Sequence, residues 1–370
     1  MHVSSYPSLD HLDRMTDSTG LIQHAIYNVP RRGSGYTTDD NARALRLCAR
    51  LCAEDADECM RDRVACYLSF LEHAQCANGG FHNSMSYQRE WLDESGCGDS
   101  QGQTVLALAE VLGRDLPTGF HDLARELIDG ALTVLAGLTS LRAHAYVVQA
   151  WAILSRANVS HNEELEKIAR QAACRLVEAW QHSHHPDWQW FEPQMTYANA
   201  VLPHAMFDAA ERWPDEDFLA IAESSFRFLD RVTTTDNVFW PIGNHGWSAQ
   251  HEVRALYDQQ PVEASTMAAA AMAGLQSRRD EDYLAAFQRA HGWFHGQNSL
   301  QYAMADSNSG GCLDGLESKG VNRNLGAEST LAYLWTESLA LEVQRDSIAT
   351  RDEATIAGQQ IKLHEESAVR

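Results

Sequence analysis

Asp39 and Asp40 stand side by side at the start of a helical pattern, and Glu192 lies in the run Trp188-Gln189-Trp190-Phe191-Glu192-Pro193. A carboxylate in the first turn of a helix is held ionised by the helix dipole, whereas one ringed by aromatic side chains is desolvated and keeps its proton. An ionised base facing a protonated acid is the equipment of glycosidic-bond cleavage with inversion, which needs two carboxyls about 6.5–9.5 Å apart with water between them. On this reading Asp40 is the base and Glu192 the acid. Glu94, in Trp91-Leu92-Asp93-Glu94, and Glu263, in Gln260-Pro261-Val262-Glu263, form a second candidate catalytic pair. Asp39 and Glu328 are acids of the same kind, placed to bind substrate. Both also suit the plain structural use of first-turn acids, and Asp39 is spaced to pair with Arg43 at i,i+4.

Five of the ten tryptophans, Trp91, Trp188, Trp190, Trp240 and Trp247, fall in segments without helical periodicity. Aromatic faces, those of these tryptophans and of Tyr197 among them, stack on the C–H-rich faces of sugar rings, and amides such as those of Asn199 and Asn322 bind sugar hydroxyls. Anchoring of loops is the competing use of these tryptophans, because Trp is usually well buried. Two other chemistries are open. His204 and His245 could serve as acid–base groups of a sugar epimerase or isomerase, or the chain could bind carbohydrate without transforming it. His182, His184, His185 and Asp187 form the densest candidate metal cluster, but histidines at a helix end are ordinarily solvated and favoured by the dipole. No metal or cofactor is expected. Gly33-Ser34-Gly35 is no phosphate loop, since the helix that follows opens with two acids.

The elements that must position these residues form a repeat. Tracts rich in small and polar residues open helices at Thr38, Ser100, Arg142, Thr196, Val262 and Gly326, and Ser265-Thr266-Met267-Ala268 returns as Ser329-Thr330-Leu331-Ala332. Between successive openings lies one amphipathic helix, such as that carrying Leu165, Ile168, Ala169, Ala172 and Leu176 at helical spacing. The opening helices, Met267-Ala268-Ala269-Ala270-Ala271-Met272-Ala273 for example, lack a polar face and so are buried on both sides. Six helical hairpins with a buried inner helix each predict an all-α (α/α)6 toroid. Links into the inner helices are long (76–99, 182–195, 232–261, 298–325) and links out of them are short, so the long loops and the candidate residues share one mouth. Strand signals are nearly absent.

The repeat has no Pro/Gly/Ser-rich interruption, which predicts a single domain over 1–344 followed by a polar tail over 345–370. Lys and Arg number 29 against 51 Asp and Glu, a formal net charge of −22. Such a surface repels nucleic-acid backbones and anionic membranes but not neutral sugars. No run of 18 apolar residues predicts membrane insertion. The eight cysteines lack paired metal-site spacing, and the first residues lack a basic and apolar leader, so a cytoplasmic setting with reduced thiols is expected.

Gly35-Tyr36-Thr37-Thr38-Asp39-Asp40-Asn41-Ala42-Arg43-Ala44-Leu45, Trp190-Phe191-Glu192 with Thr196-Tyr197-Ala198-Asn199-Ala200, and Gly310-Gly311-Cys312-Leu313-Asp314-Gly315-Leu316 with Asn322 to Thr330 resemble a bacterial family of the six-hairpin glycosidase-like group. Members often accompany glycosyltransferases and mannoside-processing enzymes and are sometimes described as glycosyltransferases. The resemblance spans roughly residues 8 to 344. It implies the (α/α)6 toroid, carbohydrate processing on a glycoside or oligosaccharide, and functional association with a glycosyltransferase. It assigns no catalytic residue, so the roles above rest on the residues themselves. The nucleotide-sugar-binding α/β domains of a glycosyltransferase are absent from the sequence.

Overall fold

Inner-helix tracts such as 105–109 and 267–273 are small and apolar almost all round, so they can be buried against an outer partner and against their neighbours at once. In the computed structural model, which describes residues 6–52, 58–159, 163–214 and 217–345, they do this in a ring. The polar tail expected over 345–370 lies, beyond its first residue, outside the described residues. The helices are α1 (Asp10–Met15), α2 (Thr38–Cys52), α3 (Glu58–Ala74), α4 (Gly98–Leu112), α5 (Thr118–Ala136), α6 (Leu141–Arg156), α7 (Glu163–Ser183), α8 (Val201–Arg212), α9 (Phe218–Thr233), α10 (Pro261–Arg278) and α11 (Glu281–Phe294). A last helix, α12, covers 327–345.

The even-numbered helices α2 to α10 pack side by side in chain order as the inner wall, and each is backed by the odd-numbered helix that follows it. Close approach is built into the wall: a Cβ on Gly102 of α4 would stand 3.0 Å from Ala143 of α6. Helix α12 closes the ring. Glu328 and Glu342 pair with Arg43 and Arg50 of α2, the Arg46 guanidinium lies 4.1 Å from the Trp335 ring, and Gln276 of α10 donates to Glu342 at 3.2 Å. The outer layer beside α12 is completed by the N-terminal segment. There Tyr6 donates to the Leu334 carbonyl at 2.6 Å, His11 meets the Leu325 carbonyl at 2.9 Å, and Asp13 of α1 pairs with Arg63 of α3 at 2.7 Å. No helix among the described residues is long and apolar enough to cross a membrane.

Strands are confined to two- and three-residue pieces in two-stranded pairs. They stitch the long loops into a rim around one mouth. Tyr36–Thr37 pairs with Ser84–Met85, Gln194–Met195 with Ser248–Ala249, and Gln259 bridges to Leu316. The Gln23 carbonyl accepts from Ala327, which joins the N-terminal loop to the start of α12. One link breaks the pattern, because α5 ends at Ala136 and α6 begins at Leu141.

The candidate active site

The first turn of α2 is placed by its approach. Gly35 has φ +68, and a Cβ there would meet the Met85 carbonyl oxygen at 2.0 Å, so only glycine allows the neighbouring strand pair. Thr38 then donates to the His82 carbonyl at 2.6 Å, which fixes α2 against the next loop, and Thr37 donates to Asp40 Oδ2 at 2.8 Å. The three first-turn acids converge on one cation. Arg43 Nη1 lies 3.1 Å from Asp39 and 3.0 Å from Asp40, and Arg43 Nη2 lies 2.9 Å from Glu328 on α12. The Tyr197 hydroxyl accepts from Arg43 at 2.7 Å and donates to Glu328 at 3.4 Å. The expected i,i+4 pair of Asp39 and Arg43 is present.

Three carboxyls around one guanidinium are over-provided with negative charge, which favours keeping a proton among them. Burial, followed by the Asp39 carboxylate, pushes Asp40 up to about 8 against the pull of Arg43. Burial likewise raises Glu328, with Arg43 opposing. The expectation of an ionised Asp40 is therefore reversed: desolvation and a neighbouring acid outweigh the helix dipole.

Glu192 also differs from its expectation. Its carboxylate is paired with the buried Arg142 of α6 at 3.1 Å instead of being enclosed by rings. Arg142 in turn donates to Thr196 Oγ1 at 3.0 Å and to the Tyr197 carbonyl. Glu263 is buried and is spent on the same turn, accepting from the Ala198 amide, from the Asn199 amide at 3.3 Å and from the Asn199 side chain at 3.1 Å. Burial raises Glu263 to about 7, with the Asn199 hydrogen bonds opposing. Because Ala198 has φ +46, the tract at Thr196 is a turn, and α8 begins at Val201 instead. Glu94, the other half of the second pair, is an exposed loop acid.

The tryptophans expected to stack on sugar divide. Trp190 is fully buried against Phe191, and Trp188 is buried edge-on to Phe228 with its Nε1 donating to the Glu192 carbonyl. Neither offers a free face; both anchor their loop. Trp91, half-buried, lies flat on His82 at 4.8 Å. Trp240 donates to the Leu256 carbonyl at 3.0 Å, and Trp247 sits half-buried at φ +61. Asn322 is half-buried, and its side chain accepts from the Asn324 amide at 3.2 Å. His245 is exposed on its loop. In the cluster weighed for metal, His184 stacks on Trp180 at 4.9 Å and bonds its carbonyl.

Below the acids a cavity occupies the ring centre, and every inner helix contributes to its wall. Arg43 and Arg46 come from α2, Gln103 from α4, Tyr146 and Gln149 from α6, and His204 from α8; Ser265 and Thr266 come from α10, and Glu328 and Trp335 from α12. Burial lowers His204 to about 4, against the raising influence of Asp208, whose Oδ2 lies 3.6 Å from His204 Nε2. A second cavity opens from the other end of the ring, lined by Arg50, Glu110, Arg114, Arg156 and Glu342. Arg46, His204, Ala269 and Trp335 line both cavities and so form the layer between them. Arg46 and Trp335 escaped sequence reasoning because inner-helix interiors read as core. The signal for Arg46 was a second arginine three residues after Arg43, on the face already marked by the acids.

No protein-family profile and no curated protein matches the sequence. Solved structures do match in fold. Cellobiose 2-epimerase from Bacillus thermoamylovorans has a TM-score of 0.70 at 13% identity, over 90% of this chain and 96% of that one. D-mannose isomerase has a TM-score of 0.68 at 14% identity over 92% of this chain and 100% of that one. A GH76 α-mannanase from Bacteroides thetaiotaomicron has a TM-score of 0.64 at 10% identity over 90% and 92%. At these identities it is architecture that is shared, and the chain is an (α/α)6 toroid of the form these enzymes have.

Proposed function

We propose that the protein is a carbohydrate-active enzyme that places one terminal sugar ring in the central cavity and performs acid–base chemistry with the carboxyls around Arg43. One observation carries the reading. Arg43, whose guanidinium is shared by Asp39, Asp40 and Glu328, lines together with Glu328 a cavity walled by all six inner helices, and burial raises Asp40 beside it. We assign Asp40 as the proton donor and Asp39 or Glu328 as its partner. Glu192 and Glu263 become positioning residues, which brace Arg142 and the turn that presents Tyr197. Cleavage of a neutral glycoside is the leading reaction, and the layer across the ring centre favours attack at a chain end. Functional association with a glycosyltransferase is the setting that the sequence resemblance implies, and the scattered, unpaired cysteine spacing fits a cytoplasmic one.

His204 on the cavity wall supports a second reading, epimerisation or isomerisation of the bound sugar, as do the named activities of two of the structural neighbours. A panel of neutral oligosaccharides with and without phosphate separates the two. Release of reducing sugar, lost in Asp40→Asn and Glu328→Gln, is the expected result; sugar phosphate would indicate phosphorolysis. A rearranged sugar of unchanged mass, lost in His204→Asn but not in Asp40→Asn, would replace cleavage by epimerisation. Sugar binding that is unaffected by Arg43→Ala would sink both.

A further inference from the structure

On the outside of the ring, where α11 meets α12, three ligating atoms converge. His291 Nε2 and His295 Nε2 lie 2.9 and 2.8 Å from the same oxygen of Glu337, and 3.2 Å from each other. Among the described residues this is the group of His, Cys, Asp and Glu side chains close enough to hold a metal ion. We propose that these three residues form a divalent transition-metal site, best matched to zinc, that clamps the last outer helix to the last inner one.

The geometry accommodates an ion as well as a hydrogen-bonded cluster. Ligands at about 2.0–2.1 Å from a tetrahedral zinc ion stand roughly 3.3 Å from one another, close to the separations here. Two Nε2 atoms facing each other cannot both keep protons along the line between them, whereas two neutral imidazoles can both give lone pairs to one cation. His291 and His295 are four residues apart, which puts both on one face at the C-terminal end of α11. Their rings are already oriented: His291 lies parallel to Phe287 at 6.0 Å, and His295 stands edge-on to Tyr333 at 6.0 Å. Imidazole with carboxylate is a donor set that zinc accepts.

A groove of about 560 Å³ lined by Tyr6, Gln288, Gln297 and Gln344 leads to the three ligands, with room for a solvent molecule at a fourth position. It shares no lining residue with the central cavity, so the site is assigned to holding the structure together. The location suits a clamp, because here the N-terminal segment completes the outer layer beside α12. Ligands from two helices meet only in the folded chain, so the ion should stabilise it.

The test uses the full chain without a histidine tag, stripped by a chelator and titrated with zinc chloride by calorimetry. Binding of one equivalent at micromolar or tighter affinity is expected, with a raised unfolding temperature. His291→Asn and Glu337→Gln should each weaken binding at least about tenfold, while His182→Asn, in the cluster beside Trp180, should not. Cobalt substituted for zinc should give visible bands of nitrogen and oxygen coordination without a thiolate charge-transfer band. Absence of saturable binding, unchanged binding in both variants, or a thiolate band would each overturn the assignment. If one variant fails to fold, His295→Asn and the wild-type unfolding temperature with and without zinc decide the matter.

Discussion

The sharpest expectation at the residue scale concerns Asp40. Its proton is held by burial and by Asp39, so loss of that proton should define the alkaline limb of the pH–rate profile near pH 8. Asp40→Asn should lower activity about 10²–10⁴-fold with the fold intact, as measured by steady-state kinetics beside circular dichroism. The same group has a stability signature. Its folded value lies above the ordinary Asp value of about 3.9, so its contribution to stability is complete below about pH 4 and is lost as pH rises through 8. Asp40→Asn removes that loss and should flatten the decline of stability between pH 4 and 8. Urea midpoints across the range will show it, although Glu263, raised to about 7, keeps a slope of the same sign. The acids were legible in the sequence because helix starts are legible. Their protonation was not, because it depends on α12 bringing Glu328 to an arginine on α2, which no local pattern displays. Glu192 looked desolvated among its aromatic neighbours, yet its partner Arg142 lies 50 residues earlier, at the start of α6.

Elements explain the tryptophans. Trp190 and Trp188 fold inward and tie their loop to the ends of α7 and α9, with Phe191 edge-on to Trp180 and Trp188 edge-on to Phe228. Trp190→Ala should therefore act as a core truncation that costs about 3–5 kcal/mol in urea unfolding, where sugar stacking alone would leave stability unchanged. The inner and outer helices themselves were readable from the change between all-round apolar and one-sided periodicity. What periodicity missed was the delayed start of α8. A helix-like tract at Thr196 is held as a turn by Glu263, whose carboxylate takes the amides of Ala198 and Asn199. Glu263→Gln places an amide nitrogen against those donors and should cost about 1–3 kcal/mol, measurable by the same unfolding method.

For the whole molecule, closure depends on segments distant in sequence. Helix α12 reaches α2 through Glu328, Trp335 and Glu342, and the N-terminal segment covers α12 through Tyr6 and His11. Removal of residues 1–16 takes away that cover and the Asp13–Arg63 pair at 2.7 Å. The truncated chain should keep most of its helical signal but unfold at a clearly lower temperature in a circular dichroism melt. An unchanged melting temperature would mean that the ring closes without the segment. The six-part repeat predicted the ring from sequence alone. A six-residue helix standing at the outer seam was not predicted, since α1 is too short to show a period.

The short connection between α5 and α6 has a consequence for what the molecule can hold. Around the mouth, the stitched loops stand as a parapet, and at residues 137–140 the parapet is missing. On the proposed function, the remainder of a sugar chain longer than the central cavity is expected to leave over this short link, through a gateway on one side. Filling that gateway with a bulky group at the exposed Thr139, as in Thr139→Trp, should leave turnover of the shortest substrates untouched and slow the longer ones in proportion to their length. Equal slowing at every length would mean that the tail leaves by another route.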